Sequence, residues 1–242
     1  MGQCAAASAG TALALKALTS SDDLHLVAFT ALMAGMGTIA MVPIGLPLSW
    51  LLARRQWYGK PVVETLIALP LVLPPVATGL LLLKLFGRHS LVGGLLHRAF
   101  GLDIVFTWRA VLVAVSVMSF PLFVRSVRVA IEEVNPRLEQ MASTLGANPW
   151  RVFWTVTVPL ARRGLFAGMI MAFARALGEF GATIMVAGNI PGHTSTLSLA
   201  IFQAVEMGQD GRAWRLLGVS VSLAFVAVFV GEWLMRKRGR AF

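Results

Sequence analysis

Five stretches of this chain, near residues 25–53, 64–86, 107–130, 162–188 and 214–235, are each apolar enough to cross a bilayer core of roughly 30 Å. Inside such a core the backbone must satisfy its own hydrogen bonds, and an α-helix does so within a single segment. The expectation is therefore all-α: a polytopic transmembrane helical bundle of about five spans, one domain over residues 1–242. Composition agrees, because 57% of the residues are hydrophobic and only 13% are charged. A soluble domain needs more polar cover than that. The third stretch is the shortest between its arginines, Arg109 and Arg125, which can snorkel to opposite interfaces. Residues 1–23 are too short and small-residue-rich to add a span and lack a basic leader, so they read as an external N-terminal segment.

The net charge of +10 follows membrane topology and does not indicate a nucleic-acid partner. Arg54, Arg55 and Lys60 follow the first span, and Arg125, Arg128, Arg137, Arg151, Arg162 and Arg163 surround the segment after the third. Arg236, Lys237, Arg238 and Arg240 close the chain. These alternate with a less basic side, which puts the N-terminus outside and the C-terminus in the cytoplasm.

The loop at 132–160 is then cytoplasmic, and it is more than a connector. Asn135-Pro136 is a helix start, with Asn as N-cap and Pro at the first helical position. Leu138, Met141, Ala142 and Leu145 recur on one helical face, and Gly146 supplies the stop. Asn148-Pro149 repeats the start signal ahead of Trp150 and Trp154, and Pro159 comes just before the next span. By spacing alone, such a helix offers apolar knobs to a soluble partner or lies on the headgroups; both readings fit.

Little in the chain suggests chemistry of its own. There is no G-x-x-x-x-G-K-[ST] loop, no H-E-x-x-H pair, and a single cysteine, Cys4; no catalytic residue and no metal site is expected. Polar and helix-breaking residues inside the spans are more informative. Pro74 and Pro75 interrupt the second span, Pro43 and Pro47 the first, and Pro121 the third. These kinks serve packing, or they free polar groups beside a conduit or gate. In the second reading Pro74, Pro75, Thr78, Ser119 and Thr183 are the candidate pathway or gate residues. Arg175 and Glu179 place two charges in the fourth span, where each costs about 2.5–3.5 kcal/mol on insertion scales. Four residues apart on one helical face, they read as an internal brace or as part of a pathway. Gly164, Gly168 and Ala172 give that span a small-xxx-small stripe for close packing.

The loop also resembles the EAA signature of binding-protein-dependent ABC importer permeases. Ala142, Gly146 and Val156-Thr157-Val158-Pro159 match its frame, while Gln140 and Met141 stand where Glu and Ala are usual and Glu139 lies one position earlier. Ala68–Leu83 and Arg175–Ile201 are similar to the molybdate-type permeases, and sulfate permeases resemble the latter region too. What the resemblance implies is a permease subunit of an ATP-driven importer that translocates an oxyanion, molybdate before tungstate or sulfate. It implies a homodimer, two ATPase subunits that use ATP and Mg, an external substrate-binding protein, and no cofactor on this chain. It makes 132–160 a coupling loop, with Leu138, Glu139, Gln140, Met141, Ala142, Leu145, Gly146 and Pro159 at the ATPase. The competing function is a membrane anchor for a soluble partner, without transport.

Overall fold

A computed structural model describes residues 21–239. The expectations on residues 1–20, Cys4 among them, and on Arg240 lie outside the described residues. The chain order is α1 (Ser21–Arg54), α2 (Lys60–Val72), α3 (Pro75–Phe86), α4 (Leu91–Phe100), α5 (Trp108–Glu132) and α6 (Pro136–Thr144). There follow α7 (Pro149–Val152), a π-turn (Phe153–Thr157), α8 (Val158–Leu177), α9 (Gly181–Ala187), α10 (Leu197–Glu206) and α11 (Asp210–Gly239). The described residues contain no strand. Among the described residues, four helical runs are long and apolar enough to cross a membrane: Asp23–Arg54, Trp108–Glu132, Pro149–Leu177 and Asp210–Gly231.

The second expected span, 64–86, is not a straight rod. It is the pair α2 and α3, bent by 112°. Consecutive prolines explain the break. Each proline drives the residue before it out of the helical region, so Leu73 (ψ 145°) and Pro74 (ψ 133°) are both extended. Pro75 then opens α3 at a position where its missing N–H costs nothing. Pro43, Pro47 and Pro121 stand singly, and the helices run through them.

The fourth expected span, 162–188, also differs. Its helix starts earlier, at Pro149, and stops at Leu177. Gly178, Glu179 and Phe180 leave the helix, and α9 restarts at Gly181. Pro75 meets Gly181, and Gly79 meets Ala182 and Met185. The half-helices α3 and α9 therefore lie side by side, running the same way.

At the centre is α5, packed against α1, α8 and α9 and touching α2 and α3. Lipid tails give apolar helices no hydrophobic reason to associate, so contact must come from close approach. Glycines supply it. A Cβ on Gly45 of α1 would lie 2.6 Å from the Phe123 ring, and one on Gly37 would lie 2.8 Å from Val115. From α8, a Cβ on Gly164 would lie 2.0 Å from the Ala130 Cβ, and one on Gly168 would lie 3.1 Å from Val127, and α8 also touches α1. Ala172 completes that stripe and is fully buried. The small-residue spacing expected of the fourth span is thus its contact with α5. At the loop end, Arg128 of α5 ties down α2 by reaching Glu64 at 2.7 Å, and also pairs with Glu132 at 2.7 Å.

Gly164→Ala should destabilise the chain by about 1–3 kcal/mol, because the helices must move apart to admit one methyl. Ala130→Gly, which removes the opposing methyl, should recover most of it. Thermal unfolding in detergent measures both, and an unchanged midpoint for the single variant would contradict this packing.

Candidate functional site

The short helices α6 and α7 carry an exposed apolar surface. Asn135 caps α6 by accepting the Arg137 N–H at 3.0 Å, and Asn148 caps α7 by accepting the Arg151 N–H at 2.7 Å. Gly146, at φ +86°, ends α6, and the Ala147 N–H reaches back to the Ala142 carbonyl at 3.1 Å. Such a turn favours glycine, because a Cβ strains the left-handed conformation. No residue of α6 is buried. Leu138, Met141 (62% exposed), Leu145 (88% exposed), Trp150 and Trp154 are all exposed, as are Gln140, Gly146 and Pro159, while Ala142 is half-buried.

What holds this surface is an aromatic wedge. Phe153 is buried, stacks on Trp150 at 5.7 Å, and meets Trp154 edge-on at 5.0 Å and Trp50 of α1 at 5.5 Å. The π-turn that carries it follows from Pro159. That residue cannot donate to the carbonyl four residues back, and its ring clashes there. The wider turn, in which the Val158 N–H bonds the Phe153 carbonyl, lets the helix continue.

Glu139 departs from the other loop residues by facing inward. Its Oε2 lies 2.9 Å from Arg54 Nε, and its Oε1 accepts from Arg54 Nη2 at 3.1 Å and from Thr157 Oγ1 at 2.7 Å. Arg54 Nη2 also donates to the Val134 carbonyl at 2.7 Å. Sequence reasoning missed Arg54, Val134 and Thr157 as members of this site. Arg54 and Glu139 are 85 positions apart, and no periodicity links them.

Arg175 and Glu179 do pair, at 2.9 Å, but not as neighbours on one continuous helix. Glu179 lies beyond the end of α8, its side chain 1% exposed, while that of Arg175 is 26% exposed. The second carboxylate oxygen accepts the Ala182 N–H at 2.8 Å, so Glu179 also satisfies an orphan donor in the first turn of α9. The charges bridge a helix break.

Thr78, Ser119 and Thr183 are buried on α3, α5 and α9, three helices that pack together, and their hydroxyls have no hydrogen-bond partner among the described residues. Pro74 and Pro75, by contrast, are exposed at the α2–α3 elbow. None of these five lines the cavity of about 740 Å³ between the end of α3 and the segment that leads into α5, or that of about 570 Å³ beside α10. The first is bordered by Lys84, Arg88, His89 and Asp103. The Arg88 guanidinium hydrogen-bonds Asp103 and holds its carboxyl below the usual carboxylate range.

Comparison with known proteins adds to this geometry. The family model for binding-protein-dependent transport system inner membrane components matches residues 45–240. The Escherichia coli K12 molybdenum transport system permease protein ModB is 44% identical over 84% of this chain and 89% of its own length. The putative Bacillus subtilis molybdenum permease YvgM is 37% identical, covering 90% and 96%. A Synechocystis sulfate permease, CysW, is 34% identical, covering 87% and 76%. Among solved structures, an inward-facing MetNI methionine ABC transporter chain shares the fold at a TM-score of 0.68 and 19% identity, covering 88% of this chain and 94% of its own. A bacterial alginate ABC importer chain does so at a TM-score of 0.70 and 16% identity, covering 92% and 82%.

Glu179→Ala should destabilise the protein by about 3–5 kcal/mol, since it leaves Arg175 and an α9 N–H without their shared acceptor. Pairing it with Arg175→Leu should cost less than the two single changes summed. Additive losses in a double-mutant cycle of unfolding midpoints would show that the ion pair does not couple these elements.

Proposed function

The chain belongs to the family of binding-protein-dependent transport system inner membrane components, and from that membership we propose that it is the permease subunit of an ATP-driven molybdate importer. It is a transport permease and a multi-pass protein of the bacterial inner membrane. The observation that carries the proposal is the uncovered apolar face of α6 and α7. Leu138, Met141, Leu145, Trp150 and Trp154 are exposed there, along α6, its C-terminal cap, α7 and the π-turn. A separate soluble ATPase docked on that face would supply the energy, because the sequence has no phosphate-binding loop with which to hydrolyse ATP.

Two copies of the permease would enclose the path, with two ATPase subunits below and a binding protein delivering the oxyanion from outside. The exposed apolar elbow of α2 and α3, with Leu69, Val72, Val76 and Leu80, supports a second copy in the membrane. On this reading the N-terminus is external and the C-terminus cytoplasmic. The choice of molybdate rests on the molybdenum permeases among the relatives. The sulfate relative makes sulfate the competitor to test.

With its ATPase and binding protein in proteoliposomes, the permease should take up labelled molybdate only with ATP inside and binding protein outside. A large excess of molybdate should abolish that uptake, and sulfate should not. Flux without ATP would make the chain a channel, and no flux despite ATPase binding would make it an anchor. Sulfate competing as well as molybdate would reassign the substrate.

The docking face has its own test. Gly146→Trp puts a bulky side chain at a positive φ and misdirects the end of α6. It should cut ATPase co-purification about 10-fold or more, a loss of one buried anchor's worth of affinity, while the permease still elutes as a folded species. Undiminished co-purification would remove the ATPase from this face.

A further inference from the structure

Taking the docking reading above as its basis, we infer that Glu139 is the positioning residue that makes the docking helix move as one body with the ends of the spanning helices. Its side chain points away from the docking face, and both carboxylate oxygens are engaged by the permease itself. Arg54, the last residue of α1, supplies Nε and Nη2, and Thr157 in the π-turn supplies its hydroxyl. Through the same Nη2, Arg54 also holds the Val134 carbonyl, two residues beyond the end of α5. One ion pair thus joins α1, the end of α5, the docking helix α6 and the turn that leads into α8.

The setting suits a rigid joint. The side chains of Arg54 and Glu139 are 15% and 16% exposed, and Thr157 is fully buried, so water has little access to replace their mutual bonds. α6 has no buried residue of its own, and its packing is against α7 and the π-turn. The Glu139 carboxylate adds a direct tie from α6 to the end of α1 and to the turn that leads into α8. The π-turn at the receiving end has one residue more per turn than its neighbours, a place where a helix can yield without breaking.

The role requires a carboxylate. Glutamine keeps the length but offers one acceptor oxygen and turns an NH2 toward a guanidinium that can only donate. Glu139→Gln and Arg54→Gln should leave ATPase binding intact yet lower molybdate transported per ATP hydrolysed on the order of 10-fold, the consequence of one sheltered charge left unsatisfied. Thr157→Val, nearly isosteric, should lower it by a smaller factor and guards against a variant that fails to fold. The exchange Arg54→Glu with Glu139→Arg should recover part of the ratio, which loss of stability alone would not produce.

The decisive experiment measures uptake, ATP hydrolysis and ATPase co-purification on the complete transporter for all four variants. Retained co-purification with a reduced transport ratio supports the inference. An unchanged ratio in Glu139→Gln and Thr157→Val overturns it. Loss of ATPase binding in Glu139→Gln, with binding kept in Arg54→Gln and Thr157→Val, overturns it as well by making Glu139 a docking contact. If the unmodified permease binds no ATPase, the docking reading itself falls, and this inference with it.

Discussion

A membrane withdraws the force that assembles most proteins, because lipid is as hospitable to leucine as another helix is. What remains is contact at short range, and the bundle depends on the few places where backbones come close. Gly37 and Gly45 bring α1 onto α5, and Gly164 and Gly168 bring α8 onto it as well. With both helices seated on α5, its buried row from Ala110 to Ile131 becomes the core of the molecule. Every other element is placed relative to that three-helix core, including the half-helices α3 and α9 and the short helices at the loop end.

The second constraint is that a broken helix must do something with its freed polar groups. The chain answers differently at its two breaks. At Leu73-Pro74 the prolines remove N–H groups outright, so fewer donors need partners. At Gly178–Phe180 a carboxylate is brought in to accept from Ala182, and its charge is offset by Arg175. The second device is the costlier, and it leaves a charged pair where an uncharged turn would have been cheaper.

Much of this was legible in the sequence, and what escaped has a common cause. The apolar runs, the Asn-Pro helix starts at 135 and 148, the stop at Gly146 and the small-residue stripe of α8 are all local signals, set by backbone sterics or helical periodicity. They translate directly into helices and caps. The interruption of the second span at Pro74-Pro75 is legible too; its 112° bend is not, because local sterics set where a helix stops and tertiary packing sets where the next one points. The continuous fourth span failed because Gly178 and Glu179 look tolerable one at a time. The resemblance sets Glu139 at the ATPase along with the rest of the coupling loop, while its actual partners, Arg54 and Thr157, arrive from other elements. Local rules predict which residues form a helix; which of its faces is captured by a distant side chain is a tertiary fact.

The π-turn carries a further consequence, for angular phase. A helix advances about 100° per residue, so the one residue added at Phe153–Thr157 offsets everything after it by that angle. Upstream of it, Trp150 points away from the bundle; downstream, Gly164 and Gly168 point into α5. The two halves of one rod are thereby keyed to different surroundings. If the turn relaxed to ordinary α-helix, the rod could keep one of these facings only by giving up the other.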